Sequence, residues 1–550
     1  MAARFQSMGT FAPFVRALTF FRSFDMVHGL RLRNRAARHV SSVMGNGPPA
    51  KSEKIVRQKT DGAGRTRRLA VAGLMLVLWP SAAFGQADQT TLRQLEQQLR
   101  EIDTQLRLSI PAEQPIAERM QLDVGGSIRF GFFAIDDRGG STRILRQTDG
   151  ILYAQLDLDG AHRFFGRLRF RYNDFNSGDS FDGRGDRFIT PIGDRYWYQF
   201  DLRGLHRAQT GERLDHNFTV RVGRQFVTWG SGLTLSNEMY AALVDMEAFN
   251  FGLVGLAGVT PRSSTVDFDA TRPDFDRNTK RRFFGGMLEY RGSPGFRPYA
   301  YGLVQRDRNN DERTFVTPIG SFPTEFEYDS EYYGLGVRGN LGPQMRYRAE
   351  MVHQRGRGLS NSFDPATGMA VEQTREPIRA WAGLLGLSWL ARDANDSRVD
   401  FEFVGGSGDR DRVRPGETFG GNQPGTTDRA FNSLGYVNTG LALAPDISNL
   451  LSLRLTLSTS PFQSARRDDW LRVGMSGFIF LKADREAPLN VRTTTDSRFV
   501  GGEIDLFMDW RVTSDVSLSV RYGVFLPGSA IPDDEDGPRH FFYTGVTYAF

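Results

Sequence analysis

The 550-residue sequence contains no cysteine, which excludes a disulfide framework and any thiolate metal site. Lysine is nearly missing beyond residue 85, where only Lys280 and Lys482 remain. Histidine is confined there to His162, His206, His216, His353 and His540, none at metal-ligand spacing. No Ser-His pattern of an outer-membrane phospholipase accompanies them, so no enzyme, cofactor or metal is expected. The Gly405-Gly406-Ser407-Gly408 run falls in a loop rather than between a strand and a helix, which excludes a phosphate cradle. Beyond residue 85 no apolar run reaches the roughly 20 residues that a membrane-spanning helix requires. A chain of this kind crosses a membrane only as a closed barrel.

The positive charge is unevenly placed. Arg65, Arg67 and Arg68 precede an eleven-residue apolar run, Leu69 to Trp79, followed by Ala83-Phe84-Gly85. This is the order of a secretory signal peptide over 65–85, with Gln86 as the expected new N-terminus. Residues 1–64 are Arg-rich and aperiodic; an over-extended start with initiation near Val56 is the expectation, and a transit peptide the rival. The whole chain is +5, but beyond residue 85 it holds 55 basic and 61 acidic residues. The basic balance therefore describes the leader, and no nucleic-acid partner follows from it.

What is abundant is glycine, phenylalanine and arginine in alternating patterns. Leu168, Phe170 and Tyr172 oppose Arg167, Arg169 and Arg171. Ile504, Leu506 and Met508 oppose Glu503 and Asp505, while Val516, Leu518, Val520 and Tyr522 oppose Ser517, Ser519 and Arg521. Apolar outward and charged inward at period two is the signature of an antiparallel transmembrane β-barrel over 120–550 with lipid outside and water inside. Phe542, Val546, Tyr548 and the terminal Phe550 share a face. A last strand of this kind is what the outer-membrane barrel-assembly machinery engages, which adds that machinery, outer-membrane lipid and lipopolysaccharide as expected partners.

Sixteen strands are evident, from one centred near 129 to one near 545. A further hairpin, Phe249 to Val259 with Thr265 to Ala270 around Thr260-Pro261-Arg262, raises the number to eighteen, the preferred count. Either number is even, which puts both termini on the short-turn, periplasmic side. Leu92, Leu95, Leu99, Ile102 and Leu106 form a helical seam within 86–110. It fits a periplasmic helix docked on the barrel, or a trimerising coiled coil.

Arginine grips carboxylates with a planar fork, and its dominance over lysine points to paired, half-desolvated positions. The inward candidates are Arg129, Arg167, Arg169, Arg171, Arg203, Arg221, Arg224, Arg348 and Arg521. Asp201, Glu503 and Asp505, with Asp157, Glu289 and Glu350, are the acidic ones. The loop carrying Asp174, Asn176, Asp179, Asp182 and Asp186 lacks the EF-hand spacing and reads as a solvated surface.

Val222-Gly223-Arg224-Gln225, Gly502-Glu503-Ile504-Asp505-Leu506 and Tyr522-Gly523-Val524-Phe525-Leu526-Pro527-Gly528 resemble the alginate export family of outer-membrane barrels. The resemblance implies an eighteen-stranded monomer with an electropositive constriction, exporting an anionic polysaccharide without its own energy source. It carries Arg224, Glu503 and Asp505 over as site positions. The seam at 86–110 and the mildly acidic balance depart from the pattern. The alternative is a porin, trimeric through that seam, for uptake of small anionic solutes.

Overall fold

The computed structural model describes residues 120–550 except 138–140, 182, 264, 319 and 462–469. The expected leader, signal peptide and seam at 86–110 lie outside the described residues.

Eighteen antiparallel strands close on themselves. The wall begins with β1 (Met120–Asp136), β2 (Thr142–Leu158), β3 (His162–Phe175), β4 (Arg187–Asp201) and β5 (Asn217–Trp229). It continues through β6 (Leu235–Ala248), β7 (Phe251–Val259), β8 (Arg281–Tyr290) and β9 (Arg297–Asp307). A separate hairpin, β10 (Glu312–Thr317) with β11 (Gly320–Glu325), stands in the next loop. The wall resumes with β12 (Tyr328–Leu341), β13 (Met345–Leu359), β14 (Arg375–Leu390), β15 (Arg398–Gly406) and β16 (Leu450–Thr459). It ends with β17 (Trp470–Lys482), β18 (Phe499–Arg511), β19 (Val516–Pro527) and β20 (Arg539–Ala549).

Closure is made by β20 on β1, in register from Ser127 against Ala549 to Ile135 against Phe541. Phe550 extends the ladder: its N–H donates to the Gly126 carbonyl at 3.0 Å and its carbonyl accepts from Gly126 at 2.9 Å. No helix among the described residues is long and apolar enough to cross a membrane, and the crossing falls to the strands. Period two is realised in three dimensions: Ile128 and Phe130 are half exposed on the outer face, while Arg129 between them is 7% exposed. Trp389, Trp510 and Phe550 ring the turn end of the outer face, and Phe188, Tyr333, Trp381 and Phe499 ring its loop end. These are the two aromatic girdles that bound an apolar band.

The count of eighteen is as expected, but its ninth hairpin is elsewhere. The extra pair is β6 with β7, joined by Phe249 and Asn250 at positive φ. Thr265 to Ala270 form no strand; they lie buried in the loop 260–280, folded toward the interior. β6 lacks the expected alternation because its inward side carries Met239 and Ala241 against a buried loop, setting apolar against apolar. The second departure is α1 (Leu202–Thr210), which fills the turn between β4 and β5. Asp201 ends β4 and caps the helix by accepting from the Gly204 N–H, and Gly211 stops it in the left-handed conformation.

The interior is also drier than a simple water-filled lumen. Trp229, Leu233, Phe283, Tyr332, Phe431 and Leu434 share one buried apolar cluster. Phe133, Leu145, Leu443, Phe480, Phe525 and Phe541 share another. Both lie where the loops 407–449, 483–498 and 528–538 tuck back inside the loop end of the barrel.

Candidate functional site

The first inner wall belongs to β1–β5. In β3, residues two apart face the same way, so Arg167, Arg169 and Arg171 point inward together while Leu168 and Tyr172 meet the lipid side. Register then sets Asp149 of β2 directly between Arg129 of β1 and Arg171 of β3. Arg129 donates to Asp149 at 2.9 Å, Arg169 grips it at 2.9 Å through Nε, and Arg171 lies 3.8 Å away. Three guanidinium groups thus share one carboxylate on the inner wall. Arg167 forms a two-pronged pair with Asp194 at 2.8 and 2.5 Å. Arg221 donates twice to Gln199 Oε1, at 2.9 and 2.6 Å, and its guanidinium lies 4.6 Å from the Trp197 ring.

A second charged wall lies across the barrel. Glu402 joins Arg348 to Arg454, the latter at 2.9 Å. Arg521 belongs instead beside the first wall, on β19 next but one to β1, and is buried against Asp509 through bonds of 2.7 and 2.9 Å.

The remaining candidates are placed differently from the sequence expectation. Asp201, the last residue of β4, is occupied as the N-cap of α1, and Arg203 lies within that helix rather than on a strand, pairing with Glu247 at 3.1 Å near the short turns. Strand alternation puts Arg224 on the face of Val222 and Tyr240, not of Arg221. It is buried where β4 and β5 diverge, donating to the carbonyls of Gly193 at 3.0 Å and Ser263 at 3.2 Å. Glu503 and Asp505 face inward but are covered. Glu503 accepts the N–H groups of Leu441, Ala442 and Leu443 at 2.5, 2.7 and 2.9 Å. Both carboxylates therefore meet a loop instead of open lumen.

That loop, 407–449, is the principal feature the sequence did not disclose. Leu434 pairs with the β5–β6 tip, its N–H donating to Thr234 O at 3.0 Å and its carbonyl accepting from Ser236 at 3.1 Å. Asn432 is held by Tyr332, Tyr328 and Gln354 through bonds of 2.7, 3.0 and 3.0 Å. Leu441–Leu443 then reach Glu503 of β18, roughly half way round the eighteen-stranded wall from β5. The loop crosses the interior. It is tied to the inward loop 260–280 through Asp269, which accepts from the Thr418 N–H and Oγ1 at 2.9 and 2.6 Å.

Loop 260–280 has its own buried anchor. Asp267 takes two bonds from Arg281 at 2.7 and 2.8 Å and one from Arg272 at 3.1 Å; Arg272 continues to Asp307 at 3.2 Å. Burial alone would push the Asp267 carboxyl up, but Arg281 and Arg272 outweigh it and hold it down at about 2.

Three carboxylates of the acidic surface loop are taken up by the protein itself. Asp174 pairs with Arg146 at 2.7 Å, and Asp179 and Asp186 accept backbone N–H groups of Ile144 and Phe175. Among the described residues no group of His, Asp and Glu is disposed to hold a metal ion.

Closed strands, two aromatic girdles and a charged interior define an outer-membrane β-barrel of the channel class, made for transport. The alginate export family model matches residues 200–543, and the chain belongs to that family. No curated protein matches the sequence. Among solved structures, OccK11 (OpdR) of Pseudomonas aeruginosa is similar at 13% identity and TM-score 0.45, over 78% of this chain and 96% of that one. OccAB1 of Acinetobacter baumannii is similar at 12% identity and TM-score 0.46, over 78% and 96%. OccK8 (OprE) of Pseudomonas aeruginosa gives 10% identity and TM-score 0.44, over 78% and 98%.

Proposed function

We propose that the chain is a passive outer-membrane channel for an anionic polysaccharide, an alginate-like polymer leaving the cell through the arginine-lined interior. The observation that carries this reading is the gathering of three guanidinium groups, one from β1 and two from β3, around the single Asp149 carboxylate of β2. A polyanion passes such a wall by exchanging one guanidinium for the next, and carboxylates interspersed among them keep each contact weak enough to leave. Asp149, Asp194 and Glu402 serve that end, offering Arg129, Arg169, Arg171, Arg167, Arg348 and Arg454 a partner when no cargo is present. Membership of the alginate export family supports the same cargo class. Uptake of small anions, the second reading, uses the same wall; the loop crossing the interior favours a thread-like substrate that slips past a narrow section.

Reversal potentials under a KCl gradient in planar bilayers test the charge of the pathway. The wild-type channel is expected to prefer chloride. Replacing Arg169 and Arg171 together with serine is expected to abolish that preference, and Asp149→Asn to strengthen it. A wild-type channel that prefers potassium, or selectivity indifferent to all three substitutions, would remove this wall from the pathway.

A further inference from the structure

The outer face carries a charged patch that the transport pathway does not use. On β12, β13 and β14 the girdle residues Tyr333, His353 and Trp381 stand side by side in register. One step further toward the loops, Glu331, Arg355 and Arg379 occupy the same outward face. Another step brings Asp329, Arg357 and Pro377. The residues of these last two rows line a groove of about 440 Å³ on the lipid-side surface, just beyond the apolar band.

The pairing within this patch is incomplete. Glu331 is taken by Arg306 at 2.6 Å and by the Tyr333 hydroxyl at 2.9 Å. Asp329 accepts the Asp307 N–H at 2.8 Å, and Glu327 is gripped by Arg375. Arg355, Arg357 and Arg379 are exposed. Among the described residues their guanidinium groups have no hydrogen bond or ion pair. Arg355 and Arg379 are moreover directly opposite each other on neighbouring strands, where like charges destabilise a sheet. A like-charge pair of this kind is relieved by a divalent anion seated between the two forks.

We infer that the Arg355–Arg357–Arg379 face is a binding site for the phosphorylated headgroup of an outer-leaflet glycolipid. Its acyl chains lie down the apolar wall below Tyr333 and Trp381, while its phosphate bridges Arg355 and Arg379. Position selects the source. The groove opens sideways into the leaflet rather than into the lumen, so the anion that reaches it carries a lipid tail.

Native mass spectrometry of the full-length barrel in neutral detergent tests the assignment, with bisphosphorylated lipid A, dephosphorylated lipid A and inorganic pyrophosphate as probes. Bisphosphorylated lipid A is expected to bind one per barrel and about tenfold or more tighter than the dephosphorylated form, since each charge-assisted contact is worth roughly that factor. Arg355→Gln with Arg379→Gln is expected to erase the difference. In lipid-free detergent the same double variant should unfold at an equal or higher temperature than wild type, because a repulsive pair has gone. Equal affinity for the two lipid A forms would overturn the site without reference to any variant. Retention of the difference in a folded double variant would overturn its location, and pyrophosphate binding as tight as lipid A would overturn the lipid as its source.

Discussion

Replacing Glu503 with alanine is expected to release the loop 407–449 from the far wall and open the barrel. The carboxyl accepts three successive N–H groups, of Leu441, Ala442 and Leu443, in a site closed to water. Its loss leaves those donors buried and unsatisfied, a cost on the order of 4 kcal/mol for this crossing. Single channels should show a larger and noisier open state, and a protease added from the loop side should cut within 407–449. A second variant checks the geometry without touching the carboxyl. Gly440 sits at φ +99, and a Cβ there would come within 2.5 Å of Glu503 Oε1, so Gly440→Ala should loosen the same latch. Conductance unchanged in both variants would mean that the loop holds by its apolar contacts alone.

Asp267→Ala is expected to be the most destabilising single change in the loop 260–280. It strands Arg272 and Arg281, both about 2% exposed, leaving them Asp307 and, for Arg272, the more distant Asp269. Removing one partner from a buried network of this kind costs about 3–5 kcal/mol. The same anchor sets an acid limit. A carboxyl lowered by folding contributes stability that is complete above its unfolded value, 3.8, and is lost as pH falls toward about 2. Wild-type channel noise should therefore be steady from neutral pH to about 4 and rise below it, whereas Asp267→Ala should be noisy throughout. A variant as quiet as wild type at neutral pH would refute the anchoring role.

The barrel was legible because its outer face answers to lipid alone. Ile504 and Leu506 alternate with Glu503 and Asp505 in sequence as they do in space, and Phe550 closes on Gly126 as parity requires. The interior was less legible because its partners come from far along the chain. Nothing near Glu503 announces that Leu441 will cap it, and a charged inward position reads the same whether water or a loop lies beyond. β6 was hidden for the same reason, since loop packing made its inner face apolar. α1 is a different case. Asp201 before Leu202 and Gly211 after Thr210 are ordinary helix start and stop signals, masked because Leu202 and Arg203 also continue the strand alternation. Arg224 fell to a local irregularity: β4 bulges at Gly193–Asp194 and parts from β5 there, so motif position did not become lumen position.

Passage of an acidic polymer through the interior is tested most directly by single-channel recording with oligosaccharides added to the turn-side compartment. Uronic-acid oligomers are expected to produce brief, voltage-dependent interruptions of current that shorten when Arg169 and Arg171 are both serine, while neutral oligomers of equal length leave the trace undisturbed. A current that ignores uronic-acid oligomers, or that neutral and acidic oligomers interrupt alike, would contradict export of an anionic polysaccharide along the arginine wall.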